Sequence, residues 1–271
     1  MSRPVLRYRG KDIYDKEIIK ALREVGIKEG DTIFVHSDLS KFGKLENVKS
    51  KDEFIDIFID IFLKIVGKNG TVIVPTFSYS FTKNEDFDIA NTKSTVGILT
   101  ERFRKRANAI RSNHPIFSVA AIGKDAYFFT QNLSQSCFGK DSVFDRMLQK
   151  NTKIVLFGVP EFMFTYIHYV EESFGVPYRY HKQFTGRIID GEKEYYAESS
   201  YYVRDLEINP VTDLTKLYNE MKAREMIKEI KIGNGRIIVI SCKDVFIVAT
   251  EMLQKDIYFL LKEKPLRGVK K

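Results

Sequence analysis

Residues 153–159 read KIVLFGV, a short apolar run that follows a polar segment. Two further runs have the same character: DTIFVH at 31–36 and GTVIVPT at 70–76. Apolar runs of this length, bounded by turn residues, are typical of strands that are buried on both faces of a sheet. The three runs therefore predict a central sheet that is covered on both sides.

Helical patterns alternate with these strands. Apolar residues recur at helical spacing in 14–25, and Gly26 can end that helix. The sequence SKDE at 50–53 is a capping box that opens the next helix, and further helices are predicted near 96–106 and at 143–149. Helices that alternate with apolar strands indicate an α/β fold.

The last third has a different pattern. The pair DG at 190–191 and the turn GNG at 233–235 each separate two strand-like segments, which predicts two hairpins. Helices are predicted over 213–228 and 241–263. The predicted fold class is α/β, with a mixed sheet flanked by helices and a C-terminal α+β lobe.

No linker rich in Pro, Ser or Gly divides the chain. We therefore predict a single domain over 1–271, with an α/β core at 1–175 and the lobe at 176–271.

The composition is that of an ordinary soluble protein, with 44% apolar and 30% charged residues. No stretch approaches the roughly 20 apolar residues of a membrane span, and the basic N-terminus lacks the apolar core of a signal peptide. Cys137 and Cys242 form neither a disulfide framework nor a metal knuckle. We expect a reduced, cytoplasmic protein without a membrane partner.

The net charge is +8. Such a charge can attract nucleic acid or an anionic small molecule, or can reflect a lysine-rich surface. No nucleic-acid-binding module accompanies it, so we expect no nucleic-acid partner. The sequence leaves the oligomeric state open, a homo-oligomer included.

Three histidines stand in polar segments near the ends of predicted elements: His36 in VHSDLS, His114 in RSNHPIFS and His168 in TYIHYVEE. Histidine suits proton transfer near neutral pH. Active-site groups of α/β proteins gather after strands and in loops. Each histidine taken alone can equally be structural or merely exposed.

His168 has further support from its neighbours. Thr165, His168 and Glu171 are spaced three apart on a predicted helix, which places His168 and Glu171 on one face. A carboxylate beside an imidazole fixes its tautomer and raises its basicity. An ordinary surface pair remains the alternative interpretation of this spacing.

Two loops carry groups that can bind oxygen-rich ligands. Ser37 and Asp38 follow the first strand, where hydroxyl and backbone N–H groups can contact a carbonyl or a phosphate. Arg111 and Ser112 can hold a phosphate, but from these residues alone a loop arginine beside a turn serine is the favoured interpretation. No nucleotide-binding glycine motif is present.

Taken in order, VHSDLSKFG, GTVIVPTFSYSF, TVGILTERFRKR, RSNHPIFSVAAIGKDA, FGKDSVFDRMLQKNTKIVLFGV and TYIHYVEE resemble the aminoglycoside 3-N-acetyltransferase family of antibiotic acetyltransferases. The resemblance is strong from Glu24 to Glu172 and loose beyond. The segments RS-x-HP-x-x-S-x-x-A-x-G and T-x-x-H-x-x-E are specific in combination.

The resemblance implies a mixed α/β fold unlike that of the GNAT acetyltransferases. It implies acetyl-CoA as the donor, no metal, and an amine on a sugar or aminocyclitol as the acceptor. It also implies roles for matching residues: catalytic, His168 and Glu171; donor-binding, His36, Ser37, Thr76, Arg111 and Ser112; acceptor-binding, Asp38, His114 and Thr165. Asp38 replaces the second serine of the family's V-H-S-S-L, which leaves the donors to the thioester carbonyl open.

This chemistry needs a base for the attacking amine, donors for the developing oxyanion, and both substrates bound together. We expect His168 as the base, oxyanion donors around Ser37, and direct attack rather than an acyl-cysteine intermediate. Because the protein is basic, a nucleotide-linked amino sugar is favoured as the acceptor, with an aminoglycoside as the alternative.

Two rival classes are weighed against this function. A metal-dependent hydrolase would use His36, Asp38, His114, His168 and Glu171 as ligands, but no short H-x-H or H-E-x-x-H pair occurs. A basic nucleic-acid-binding module would show steep salt dependence and no binding of coenzyme A.

Overall fold

The computed structural model describes residues 4–45, 50–161 and 163–265. Its strands are β1 (Pro4–Tyr8), β2 (Lys11–Tyr14), β3 (Thr32–Ser37), β4 (Lys44–Leu45), β5 (Thr71–Pro75), β6 (Phe87–Asp88), β7 (Ile110–Arg111), β8 (Val119–Gly123), β9 (Lys153–Phe157), β10 (Arg179–Asp190), β11 (Lys193–Arg204), β12 (Lys228–Ile232) and β13 (Gly235–Ser241). Its α-helices are α1 (Asp15–Glu24), α2 (Lys51–Val66), α3 (Ile98–Phe103), α4 (Ala126–Thr130), α5 (Val143–Gln149), α6 (Ile167–Phe174), α7 (Thr215–Ala223) and α8 (Cys242–Lys255).

The three apolar runs form neighbouring strands at the centre of a seven-stranded sheet. The order of this sheet is β12-β13-β9-β3-β5-β8-β7. Strand β3 runs parallel to both β9 and β5, whereas the outer pairs are antiparallel. The prediction of a mixed sheet is confirmed.

Helices cover both faces of this sheet. Along β3, Ile33 and Val35 join a core that contains α1, α2 and α3, while Phe34 joins an opposite core that contains α4 to α8. Because successive side chains of a strand point to opposite faces, both sides must be apolar. This burial explains the continuous apolar runs in the sequence.

The C-terminal third contributes to two sheets. Strands β12 and β13 extend the central sheet through the antiparallel pairing of β13 with β9. The long hairpin of β10 and β11 pairs with β6 in a separate three-stranded sheet. How independently residues 176–271 behave as a lobe stays a prediction.

Two helix predictions were too long. The helix predicted over 241–263 ends at Lys255, because Asp256 is extended and the chain turns back. Leu260 and Leu261 are buried against the segment at residues 212–213, so the apolar pattern that suggested more helix reflects packing after the turn. The helix predicted over 213–228 ends at Ala223, and residue 228 already belongs to β12.

Candidate active site

A cavity of about 930 Å³ opens where three parallel strands end. His36 and Ser37 at the end of β3, Pro75 at the end of β5 and Val159 just after β9 contribute to its lining. Strands β3 and β5 pair only as far as Phe34 and Ile73, so they diverge beyond this point. The carboxyl ends of parallel strands are where α/β proteins bind ligands.

Helix α6 and the hairpin of β10 and β11 form the opposite wall. His168 contributes from α6, and Thr165 lies just before that helix. Large or charged side chains of the hairpin complete the wall: Arg179, Tyr180, Lys182, Phe184, Tyr201, Val203 and Arg204. The cavity therefore brings together four residues that the sequence singled out: His36, Ser37, Thr165 and His168.

His168 and Glu171 form a tight pair in α6. His168 Nδ1 lies 2.6 Å from Glu171 Oε2. Glu171 is fully buried, whereas 24% of the His168 side chain is exposed. When Nδ1–H donates to the carboxylate, Nε2 keeps its lone pair and can accept a proton from a ligand. The geometry is that of an oriented general base.

Arg179 adds a cation to this pair. Its Nε lies 2.8 Å from the same Glu171 oxygen, and its Nη2 lies 3.1 Å from His168 Nδ1. Only 6% of the Arg179 side chain is exposed. A buried glutamate, a buried arginine and a partly exposed histidine thus meet at one point of the cavity wall.

The electrostatics favour a neutral imidazole. Burial lowers the pKa of His168; Glu171 opposes this shift, and the charge of Arg179 adds to it. Burial by itself would raise the pKa of Glu171, but the contacts with His168 and Arg179 outweigh it and hold that pKa below its ordinary value. At neutral pH the pair is therefore a carboxylate and a neutral base.

His36 is a second neutral histidine in the cavity. Its ring packs edge-on against Phe34, with the ring centroids 4.6 Å apart, and burial lowers the pKa of His36 to about 4. Its Nε2 is buried without a hydrogen-bond partner among the described residues. A ligand in the cavity can supply that missing partner.

Asp38 lies outside the cavity lining. Its carboxylate accepts hydrogen bonds from the backbone N–H of Ser40 at 3.1 Å and from the Ser40 hydroxyl at 2.6 Å. It thereby caps the short 3₁₀ turn Leu39–Lys41. This bonding gives Asp38 a structural role, and a direct contact with an acceptor is not supported by its position.

Arg111 is also absent from the lining, and its donors are used inside the protein. It donates to the backbone carbonyls of Ile89, Thr92 and Thr76, at 3.0, 2.6 and 2.9 Å. The Thr76 hydroxyl lies 3.3 Å from Arg111 Nε and 3.0 Å from the hydroxyl of Ser118. Arg111 and Thr76 therefore hold backbone segments together, and their role in binding the acyl donor stays a prediction.

The rest of the RS-x-HP loop is internal as well. The Ser112 hydroxyl accepts from the N–H of Val119 at 3.0 Å. His114 Nδ1 accepts from the N–H groups of Ile116 and Phe117, at 3.3 and 3.0 Å. Neither Ser112 nor His114 lines the cavity, and the ligand contacts expected of this loop stay a prediction.

The residues of the hairpin that line the cavity were not predicted from the sequence. Arg179, Lys182 and Arg204 lie in a segment where the resemblance is loose, and no short-range spacing links them to His168. The contact of Arg179 with His168 could have been suspected only from the short distance in sequence between α6 and the start of β10.

The ligand set of the rival hydrolase does not converge. Across the described part of the chain, no group of three or more His, Cys, Asp or Glu residues is arranged to hold a metal ion. Of the five proposed ligands, only His36 and His168 line the cavity, whereas Asp38, His114 and Glu171 do not. Within the same ranges, no helix is long and apolar enough to span a bilayer.

The fold and the cavity define an α/β enzyme that places one oriented histidine base at the carboxyl ends of its central parallel strands. Residues 34–254 match the family model described as aminoglycoside 3-N-acetyltransferase. The chain belongs to this acetyltransferase family, which confirms the family predicted from its motifs.

Individual relatives agree with this assignment. The chain is 26% identical over 244 residues to aminoglycoside N(3)-acetyltransferase III of Salmonella sp, covering 82% of this chain and 81% of that protein. It is 25% identical over 187 residues to an SPbeta prophage-derived aminoglycoside N(3')-acetyltransferase-like protein of Bacillus subtilis, covering 60% and 66%.

Solved structures share the fold. The structure of AAC-IIIb with CoASH has a TM-score of 0.75 at 20% identity, covering 93% of this chain and 98% of that one. The structure of AAC-VIa bound to sisomicin has a TM-score of 0.76 at 20% identity, covering 89% and 97%.

Proposed function

We propose that this protein transfers the acetyl group of acetyl-CoA to an amino group of an aminoglycoside, with His168 as the general base. The observation that carries the proposal is the His168–Glu171 pair at the wall of the cavity, in a chain of the acetyltransferase family. The names of the relatives support the acceptor, and the relative solved with CoASH supports the donor.

In the proposed reaction the amine nitrogen attacks the thioester carbonyl while His168 Nε2 accepts the proton that the nitrogen loses. The carbonyl oxygen becomes an oxyanion, and we assign the Ser37 hydroxyl and the unpaired His36 ring as groups that can donate to it. The carbon–sulfur bond then breaks, and the thiolate of coenzyme A leaves and takes up a proton.

Direct attack fits the surroundings of the two cysteines. Cys137 and Cys242 are both buried, neither lines the cavity, and burial raises the pKa of each thiol well above its ordinary value. A protonated, inaccessible thiol is a poor nucleophile. We therefore expect a ternary complex without an acyl-cysteine. A cytoplasmic location, where acetyl-CoA is available, belongs to the same proposal.

The charge of the cavity favours a second candidate acceptor. Among the described residues that line it, Arg179, Lys182 and Arg204 are cationic, and no carboxylate is present. An acceptor that carries an anionic group, such as a nucleotide-linked amino sugar, matches this lining better than a polycation does. For the aminoglycoside, these cations would instead serve the phosphates of coenzyme A.

A thiol-release assay with acetyl-CoA tests both candidates. The purified protein is incubated with a panel of aminoglycosides and a panel of nucleotide-linked amino sugars, and the acetylated amine is located by mass spectrometry. Faster turnover of aminoglycosides supports the first candidate, and the reverse order supports the second. Thiol release that no amine in either panel accelerates contradicts the proposed function.

A further inference from the structure

The contact between Arg179 and the His168–Glu171 pair has a consequence for the base itself. Glu171 Oε2 lies 2.6 Å from His168 Nδ1 and 2.8 Å from Arg179 Nε. Arginine stays charged under all ordinary conditions, so Arg179 always presents a cation to this oxygen. An ionised carboxylate can only accept, so the short contact with Oε2 places the proton of His168 on Nδ1, while Arg179 Nε forms an ion pair with the same oxygen.

With that proton assignment, Arg179 Nη2 meets Nδ1–H at 3.1 Å as a neighbouring charge and not as a hydrogen-bond donor. The resting group of three then has no net charge, because Glu171 and Arg179 cancel. When His168 takes a proton, the group acquires one positive charge. A histidine paired with a carboxylate alone would instead go from one negative charge to none.

We propose that Arg179 is a positioning residue for His168: its guanidinium keeps Glu171 ionised and cancels the negative charge that would otherwise hold a proton on the ring. The ring thereby keeps the orientation that Glu171 gives it, and remains unprotonated until substrate delivers a proton. The inference rests on the proposed function because it takes His168 to be the catalytic base. The charge balance does not depend on which amine is acetylated.

Other titratable groups around the site do not supply this charge. Near this group lie Tyr178, just before β10, and Tyr201 and Tyr202 of β11, and burial raises the pKa of each, to about 12 for Tyr201. These hydroxyls are neutral at neutral pH, as is the buried thiol of Cys137. On the remaining side the ring of Phe138 lies 5.3 Å from the His168 ring.

The charge balance can be measured without turnover, by following the histidine ring protons by NMR across pH in the protein free of acetyl-CoA. The His168 signal is identified by its loss in His168→Asn. In Arg179→Met we expect the protonation midpoint of the His168–Glu171 pair to rise by about one pH unit or more, because a nearby cation has been removed. Arg179→Lys keeps the charge, and its midpoint should stay near that of the unaltered protein.

Lys182→Met is the matched control, since it removes another cation from the same cavity wall without touching the pair. An Arg179→Met midpoint equal to that of the unaltered protein overturns the proposal. If Arg179→Met does not fold, Glu171→Gln is compared with the double variant Glu171→Gln/Arg179→Met, which leaves no buried carboxylate unpaired. The double variant should titrate about one unit higher, and equal midpoints would again contradict the role.

The acid limb of kcat/KM should move in parallel with the NMR midpoint. A midpoint that shifts in a protein with no acetyl transfer would refute the proposed function and leave the role of Arg179 standing. Acetyl transfer with an unshifted midpoint would support the proposed function and refute the role of Arg179.

Discussion

The segments around His168 and His114 both resemble the family in sequence, yet the structure gives the two histidines different surroundings. His168 stands at a cavity with Nε2 available, and its other nitrogen is held by a buried carboxylate. His114 is only 4% exposed, and its Nδ1 accepts from two backbone N–H groups of its own turn. A sequence motif therefore does not by itself distinguish a catalytic residue from a structural one.

Removal of the base should have the largest effect on catalysis. In His168→Ala we expect kcat to fall by roughly 10²- to 10⁴-fold, the usual contribution of a general base. The KM for acetyl-CoA and the melting temperature should change little, because the ring is partly exposed and borders open space. Steady-state kinetics and thermal unfolding measure both. Turnover close to that of the unaltered protein would remove His168 from the mechanism.

Arg111→Met should produce the converse result. The substitution removes the guanidinium that donates to the partly buried carbonyls of Ile89 and Thr92 and to the buried carbonyl of Thr76, which keeps its hydrogen bond from the Ser118 hydroxyl. A lost hydrogen bond of this kind costs roughly 1 kcal/mol or more, so we expect the free energy of unfolding to fall by about 2–3 kcal/mol. Denaturant unfolding checks this loss, and kcat per folded molecule should be retained. Loss of kcat with full stability would return Arg111 to the catalytic site.

His114 should contribute a pH dependence of stability. Burial lowers its pKa to about 4 in the folded protein, against 6.5 as the ordinary value. The unfolded chain therefore binds the proton more readily, and stability should decline as the pH falls from about 6.5 towards 4, by up to roughly 3 kcal/mol.

In His114→Asn the amide oxygen can still accept in the turn but cannot titrate. We expect this variant to lose part of the decline on the acid side while it remains folded at pH 7. Denaturant unfolding at a series of pH values compares the two proteins, and parallel curves would exclude His114 as a source of the dependence.

The smallest predicted effect concerns the exposed cations of the cavity. Lys182→Met and Arg204→Met should each raise a KM by up to about fivefold, because an exposed charge contributes up to roughly 1 kcal/mol. A rise in the KM for acetyl-CoA alone would assign them to the phosphates of the donor. A rise in the KM for the acceptor alone would support the anionic amino sugar. An unchanged KM for both substrates would place these side chains outside the binding site.

Local sequence was sufficient for the central strands and for the His168–Glu171 contact, because buried strands and helix faces leave short periodic patterns. It was insufficient for Arg179, since that contact joins a helix to a strand from another sheet and leaves no periodic trace. The end of α8 at Lys255 was not predicted for a related reason. The apolar residues that follow it are buried by tertiary packing, and their spacing in the sequence resembles that of a helix. The structural role of Arg111 likewise depends on carbonyls about 20 residues away in sequence.

Strand β10 of the hairpin links the surroundings of His168 to the loop that is held by Arg111, which lies a few residues before His114 in the chain. Strand β10 begins with Arg179 beside His168 and, roughly 30 Å of extended chain later, pairs through Ile188 and Ile189 with β6. Directly after β6 comes the loop whose carbonyls at Ile89 and Thr92 are tethered by Arg111. A substitution where β10 pairs with β6 can therefore displace the Arg179 guanidinium beside the His168 ring. We expect some variants remote from the cavity to change kcat without changing the affinity for substrates.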